Sequence, residues 1–310
     1  MDRTTAPHLV KSVSAQAERR SRRSTGKPCR GASVGRGTRT ITAQRRIQWL
    51  AEISAVLEKS SRGFDGRLIF LGEESWTVHM QFKLFHWPAT RSSRVKWLLH
   101  EVVGDKFTIE TVAIFEAAQY EVDYLRKNPN HCVPSLEIRL ASGETMTMIE
   151  SGAMIAFLAD IFPEKRLAPQ PGSPSFERAD YLQMLHFGAS WMDMMLWQIR
   201  IHEHILPKGQ RDSRTIARYR KKFSTEVEPQ LRARLEKSKF ICGNEFSAAD
   251  CVIGHNVLWA RAYHLCRGEV YERYISRISA RPAFLSAFSD VGKYTPEVPE
   301  DSPIVRKFTG

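Results

Sequence analysis

Three hydroxyl residues, Thr90, Ser92 and Ser93, crowd around Arg91 just after the Trp87-Pro88 step. They stand where a helical apolar spacing begins, so one of them can simply cap that helix. Glu150-Ser151 opens another helical stretch. The free N–H groups and partial positive charge of a helix N-terminus suit a carboxylate, although Ser151 there is equally good as a plain cap. Ser247-Ala248-Ala249-Asp250 has the form of a capping box, with Asp in place of Glu or Gln at its third helical position. Ser247 and Asp250 therefore read as the start of a buried helix, without a chemical role.

Other chemistries lack their residues. His202, Glu203 and His204 do not have the H-E-x-x-H spacing of a zinc site, and no glycine-rich phosphate loop follows a strand. The expectation is no metal and no nucleotide. Five Cys, at 29, 132, 242, 251 and 266, are widely spaced with no C-x-x-C. That argues against a disulfide scaffold or structural zinc and favours a reducing, cytoplasmic compartment.

The elements that must position these groups follow from periodicity. Residues 82–86 read as a short buried strand, and Val95, Leu98, Leu99 and Val102 as a helix face. A strand over 107–112 and a short helix over 115–126 come next. VPSLEI and ETMTMI flank a turn at Ser142-Gly143, and a helix runs from Ser151 to Ile161. The order β-α-β-α-β-β-α implies a parallel crossover with a terminal antiparallel hairpin. Residues 163–175 are proline-rich and read as a linker. Helical segments then fill 176–204, 213–237, 247–266 and 270–290, with Pro207, Pro229 and Pro282 as breakers or starts. The expected organisation is an extension over 1–79, an α/β domain over 80–162, a linker, an all-helical domain over 176–290 and a tail over 291–310.

Charge is concentrated in the extension. The chain of 310 residues carries a formal net charge of +12. Residues 1–46 hold 12 Lys and Arg against two acids, so the rest is nearly neutral. This opposes a basic nucleic-acid-binding fold. No apolar run is long enough to cross a membrane. Residues 1–46 lack Trp, Phe and Tyr and read as disordered. Ile47, Leu50, Ile53 and Leu57 suggest one short helix, and 59–79 a linker.

Four motifs together resemble the cytosolic glutathione S-transferases, in the family's order and from about Met80 to Asp290. They are LFHWPATRSSRVKWLLHE, NPNHCVPSLE, ESGAMIAFLADIFP and FICGNEFSAADCVIG. The resemblance implies a thioredoxin-like α/β N-terminal domain followed by an all-α C-terminal domain. It implies glutathione as co-substrate, held as a thiolate that attacks a small apolar electrophile, in a homodimer. The roles expected are of a detoxifying transferase, without nucleic-acid or membrane partners.

The resemblance also distributes roles. Val133-Pro134 would be cis and offer the Val133 backbone to the glutathione backbone; an ordinary trans Pro134 at an edge strand is the alternative. Glu150 and Ser151 would hold the γ-glutamyl group. His131 would reach the glycyl carboxylate, or else be a solvated turn residue. A hydroxyl after the first strand would donate to the sulfur and favour its anion. No Tyr or Cys lies between residues 80 and 119, which sets aside the classes that use them. Thr90 stands where delta-, theta- and phi-like members place Ser, with Ser92 and Ser93 as fallback donors. Ala89-Thr90-Arg91-Ser92 only partly matches the serine run of zeta-like isomerases. Phe187 and Trp191 would line the second-substrate pocket, although apolar residues at this spacing also suit a core.

The same resemblance leaves open a glutathione-dependent isomerase, dehalogenase or ether-cleaving enzyme, or a non-catalytic binding module. The extension reads as a transit peptide, as a basic arm, or as sequence upstream of a native start at Met80.

Overall fold

A computed structural model describes residues 80–171, 175–294, 297–299 and 301–309. The short helix and linker expected over 47–79, and the extension as a whole, lie outside the described residues. The described residues belong to one compact unit.

Four strands form one mixed sheet in the order β2-β1-β3-β4. β1 is Gln81–His86, β2 Thr108–Thr111, β3 Ser135–Arg139 and β4 Thr145–Met148. β1 pairs parallel with β2, and β1–β3 and β3–β4 pair antiparallel. The crossover and the terminal hairpin are as the periodicity implied. β1 is central and buries Phe82, Leu84 and Phe85, whereas every residue of edge strand β2 is exposed.

Helix α1, Ser92–Val103, connects β1 to β2. Its Trp97 is fully buried, against the rings of Phe246, Phe284 and Phe288. The single helix expected over 115–126 is instead two tight turns and a short α2, Val122–Leu125. The left-handed backbone of Ala117, φ 60°, breaks the helical hydrogen-bond ladder there. α3, Ser151–Ile161, follows β4.

The helical region begins with α4, Phe176–His186, which runs through wider π-wound turns into α5, Asp193–Arg200. Gly188 lies in the first such turn. A Cβ there would meet Val252 and Ile253 at 2.8 Å, so only glycine lets the two helices approach this closely. α6, Ser213–Lys222, α7, Glu228–Leu235, α8, Ala248–Ala262, and α9, Glu269–Ser279, complete the bundle. The segment expected as one helix over 270–290 breaks before α10, Pro282–Ala287. Arg281 is extended, as the residue before a proline prefers, and Pro282 opens the new helix.

The expected C-terminal tail contains a further helix, α11, Pro303–Thr309. Ile304 and Val305 pack in a cluster with Phe115, Tyr120, Trp197, Ile201 and Ile205. The Ser302 hydroxyl donates to the Phe115 carbonyl. The tail thus bridges the α/β layer and the helical bundle.

Candidate functional site

The end of β1 delivers the three hydroxyls to different environments. Ser92 is fully buried. Its Oγ lies 2.7 Å from His86 Nδ1, 3.0 Å from the Trp87 carbonyl and 2.8 Å from Thr90 Oγ1, and it accepts from the Trp87 N–H at 3.2 Å. Ser93 is buried too, and its hydroxyl has no partner among the described residues. Thr90 is half-buried, and donates to the Trp87 carbonyl at 2.7 Å. Of the three, Thr90 alone keeps a hydroxyl on an accessible residue.

Behind Ser92 stands His86, buried, with Nε2 3.0 Å from Asp290 Oδ2. Lys96 Nζ reaches the same oxygen at 2.7 Å. Burial lowers the His86 pKa to about 4 despite the Asp290 carboxylate, so the ring is neutral near pH 7. Nε2–H then donates to Asp290 while Nδ1 accepts the Ser92 proton. A chain of hydrogen bonds therefore ties the Thr90 turn to the segment after α10.

The loop before β3 is fixed from inside. The Tyr124 hydroxyl donates to the Cys132 carbonyl at 2.7 Å, and Asn128 Nδ2 to the same oxygen at 2.8 Å. Val133–Pro134 is cis. His131 is exposed and stacks on Tyr120 with ring centroids 4.5 Å apart.

Glu150, in place of Ser151, caps α3, with φ 70° and no side-chain hydrogen bond to the helix. Ser151 therefore does not act as the plain cap. Its Oγ accepts from Arg94 Nη2 at 2.6 Å and Nε at 3.1 Å, so its proton is available to an incoming acceptor. The first-turn N–H groups of α3 have no side-chain cap, and with the Ser151 proton they suit a carboxylate.

Arg94 was not singled out by sequence, and it organises this corner. It is almost fully buried. Its Nη1 and Nη2 donate to the two oxygens of Asp193 at 3.1 and 2.8 Å, and Nη1 reaches Asn256 Oδ1 at 3.4 Å. Arg91 Nε adds a 2.6 Å bond to Asp193. Burial pushes the Asp193 pKa up, but the guanidinia of Arg94 and Arg91 outweigh it and hold it at about 2. The available signal was a single acid in the otherwise apolar run Trp191-Met192-Asp193-Met194-Met195-Leu196-Trp197.

The aromatic residues divide differently from expectation. Phe187 packs on the main core, and Trp191 is 40% exposed with Lys222 Nζ 4.8 Å above its ring. Trp197 and Trp259 are the rings that face Arg91, at 5.4 and 5.3 Å from its Cζ. Ser247 and Asp250 form the expected capping box, and Asp250 also accepts from the Ile241 N–H and the Tyr274 hydroxyl, both at 2.9 Å. His204 and Glu203 are taken up in pairs with Glu297 and Arg220. Among the described residues no group of three His, Cys, Asp or Glu is arranged to hold a metal, and no helix is long and apolar enough to cross a membrane.

Comparison with known proteins agrees with this geometry. Residues 80–160 match the family model of the glutathione S-transferase N-terminal domain. The disulfide-bond oxidoreductase YfcG of Escherichia coli is 26% identical over 64% of this chain and 91% of its own length. The glutathione S-transferase GstA of Escherichia coli O157:H7 is 27% identical over 68% of this chain and 98% of its own. A sphingomonad glutathione S-transferase, solved in complex with glutathione, superposes with a TM-score of 0.56 at 27% identity, over 68% of this chain and all of that one. Residues 80–160 thus match a glutathione S-transferase N-terminal domain, and the fold of the described residues is that of glutathione S-transferases.

Proposed function

We propose that this chain is a glutathione S-transferase family member that binds glutathione as a thiolate and transfers it to a small apolar electrophile. One observation carries the reading: Thr90 is the one residue of the three candidates after β1 that is not fully buried, and it stands beside the start of α1. Turning its single proton from the Trp87 carbonyl to sulfur, together with the partial positive charge of the helix end, favours the anion over the thiol. Ser92 and Ser93 act behind it as buried support.

In this reading the cis Val133-Pro134 segment presents its backbone to the tripeptide. Ser151 donates to the γ-glutamyl carboxylate, Glu150 accepts from the adjacent amino group, and His131 faces the glycyl carboxylate. Reduced glutathione and the free thiols of Cys132, Cys242, Cys251 and Cys266 suit a cytoplasmic setting. Exposed Met146 on β4 and Phe176 at the start of α4 suit burial in a homodimer, which gel filtration tests.

The resemblance to YfcG favours a second reading, glutathione-dependent disulfide reduction. No Cys lies in the β1–α1 turn, so exchange would run through the thiolate of glutathione itself. Both readings need that thiolate. The deciding measurement is the ultraviolet absorbance of bound glutathione against pH. Thr90→Ala is expected to return the thiol pKa toward the free value of about 8.5. An unchanged pKa removes Thr90 from the role. Turnover of halonitroarenes against that of mixed disulfides then separates the two readings.

A further inference from the structure

Arg91 is held more tightly than its position on a half-open turn requires. Nε is bonded to Asp193, and the guanidinium lies over the rings of both Trp197 and Trp259. Each contact is within cation–π range, and together they hold the group from two sides. Yet the side chain is 30% exposed, and among the described residues its two terminal amino groups make no hydrogen bond. An Arg that served only to bridge elements would use those donors on protein.

The charge count leads in the same direction. Asp193 is already engaged on both oxygens by Arg94, so one carboxylate faces two guanidinia. Arg91 is also adjacent in sequence to Thr90, and its charge is felt at Cys132. There it opposes the rise in the thiol pKa that packing against the loop causes. The unused donors of Arg91 therefore lie next to the Thr90 turn and beside the rings of Trp197 and Trp259. Flat rings beside a fixed guanidinium edge suit a planar apolar compound that carries a carboxylate, which the fork can meet with two parallel bonds.

We propose that Arg91 reads the second substrate, selecting planar electrophiles that bear a carboxylate. The proposal rests on the transferase reading above for its reaction, but the binding it claims can be measured without turnover.

The test uses a chloronitrobenzoate and the matching chloronitrobenzamide, together with the glutathione conjugates that each would yield. Turnover is expressed as kcat/KM divided by the uncatalysed rate with glutathione. Conjugate affinity is measured by calorimetry. The wild-type chain is expected to favour the carboxylate member roughly tenfold in both measurements. Arg91→Met should bring both ratios to within about twofold of unity. Arg91→Lys should recover part of the preference, because it keeps the charge and loses the fork. If Arg91→Met does not fold, Trp259→Leu provides the second arm: it removes one stacked ring and should shrink the ratio.

Conjugate discrimination without turnover would sustain the role of Arg91 and overturn the transferase reading. Equal turnover and equal binding of both members would overturn the role of Arg91 and leave the transferase reading standing. Failure of both conjugates to bind would overturn both.

Discussion

Asp193 and Asp250 are both buried carboxylates in the helical region, and their surroundings move them in opposite directions. Asp250 is surrounded by neutral donors: two backbone N–H groups, the Ser247 hydroxyl and the Tyr274 hydroxyl. Burial dominates there and raises its pKa. Asp193 meets two guanidinia, which overcome the same desolvation and lower its pKa to about 2. One is a sealed knot that starts α8. The other is a charged hinge whose outer partner, Arg91, still has donors to offer. Equal burial therefore says little about role; what separates them is whether the partners are saturated.

The comparison breaks first at Asp193. Asp193→Ala leaves two guanidinia around a cavity, one of them almost fully buried, and is expected to cost about 3–5 kcal/mol of stability in urea unfolding. It should also weaken glutathione binding, because Arg94 then holds Ser151 less firmly. A stability loss no larger than that of the Asp250→Asn variant would sink the account of Asp193 as a shared counter-ion.

Acid sharpens the contrast next. His86 and His255 are both lowered to about 4 by burial, against an ordinary value near 6.5. In the unfolded chain they take up protons as pH falls below 6.5, while in the folded chain they do not. Stability should therefore fall between pH 6.5 and pH 4, by about 2–3 kcal/mol for each His. Asp193 adds a later loss between about pH 4 and pH 2, since its folded pKa lies below the unfolded one. Unfolding curves across this range check both windows, and His255→Gln should remove about half of the first. A curve flat from pH 6.5 to 4 would mean that these rings are not buried neutral.

Asp250→Asn tests the sealed knot. An amide can satisfy one side of the cluster but turns its own NH₂ toward the Ser247 N–H or hydroxyl. The expected cost is about 2 kcal/mol, without change in the thiol pKa of bound glutathione. A shifted thiol pKa in a variant of normal stability would give Asp250 a role in the site after all.

The parallel crossover, the terminal hairpin and the capping box were legible because each is a local pattern, whereas the cis Val133-Pro134 bond followed only from the family resemblance, since the turn before it suits a trans Pro134 as well. The helix over 115–126 was not, since apolar spacing says nothing of the left-handed Ala117 that breaks it. The Arg94–Asp193–Asn256 cluster was hidden for a different reason. Its members are 99 and 162 residues from Arg94, and only the docking of α1 against the bundle brings them together. At Ser151 the sequence offered a cap or a ligand contact, and deciding between them required seeing Arg94 on the hydroxyl. Likewise Trp191 and Trp197 share one apolar run and differ in the face they occupy, which periodicity assigns poorly where π-turns intervene.

That last pair gives the mildest prediction. Trp191 is 40% exposed beneath Lys222, whereas Trp197 faces Arg91. Trp191→Ala removes an exposed ring and one surface cation–π contact, worth about 0.5–1 kcal/mol of stability. With either halonitroarene it should leave the ratio of carboxylate to amide turnover as in the wild type. Trp197→Ala takes one face from the guanidinium of Arg91, so the same ratio should fall. If Trp191→Ala changes the ratio and Trp197→Ala does not, Trp191 lines the second-substrate pocket, as the family resemblance implied, and Arg91 loses its aromatic wall.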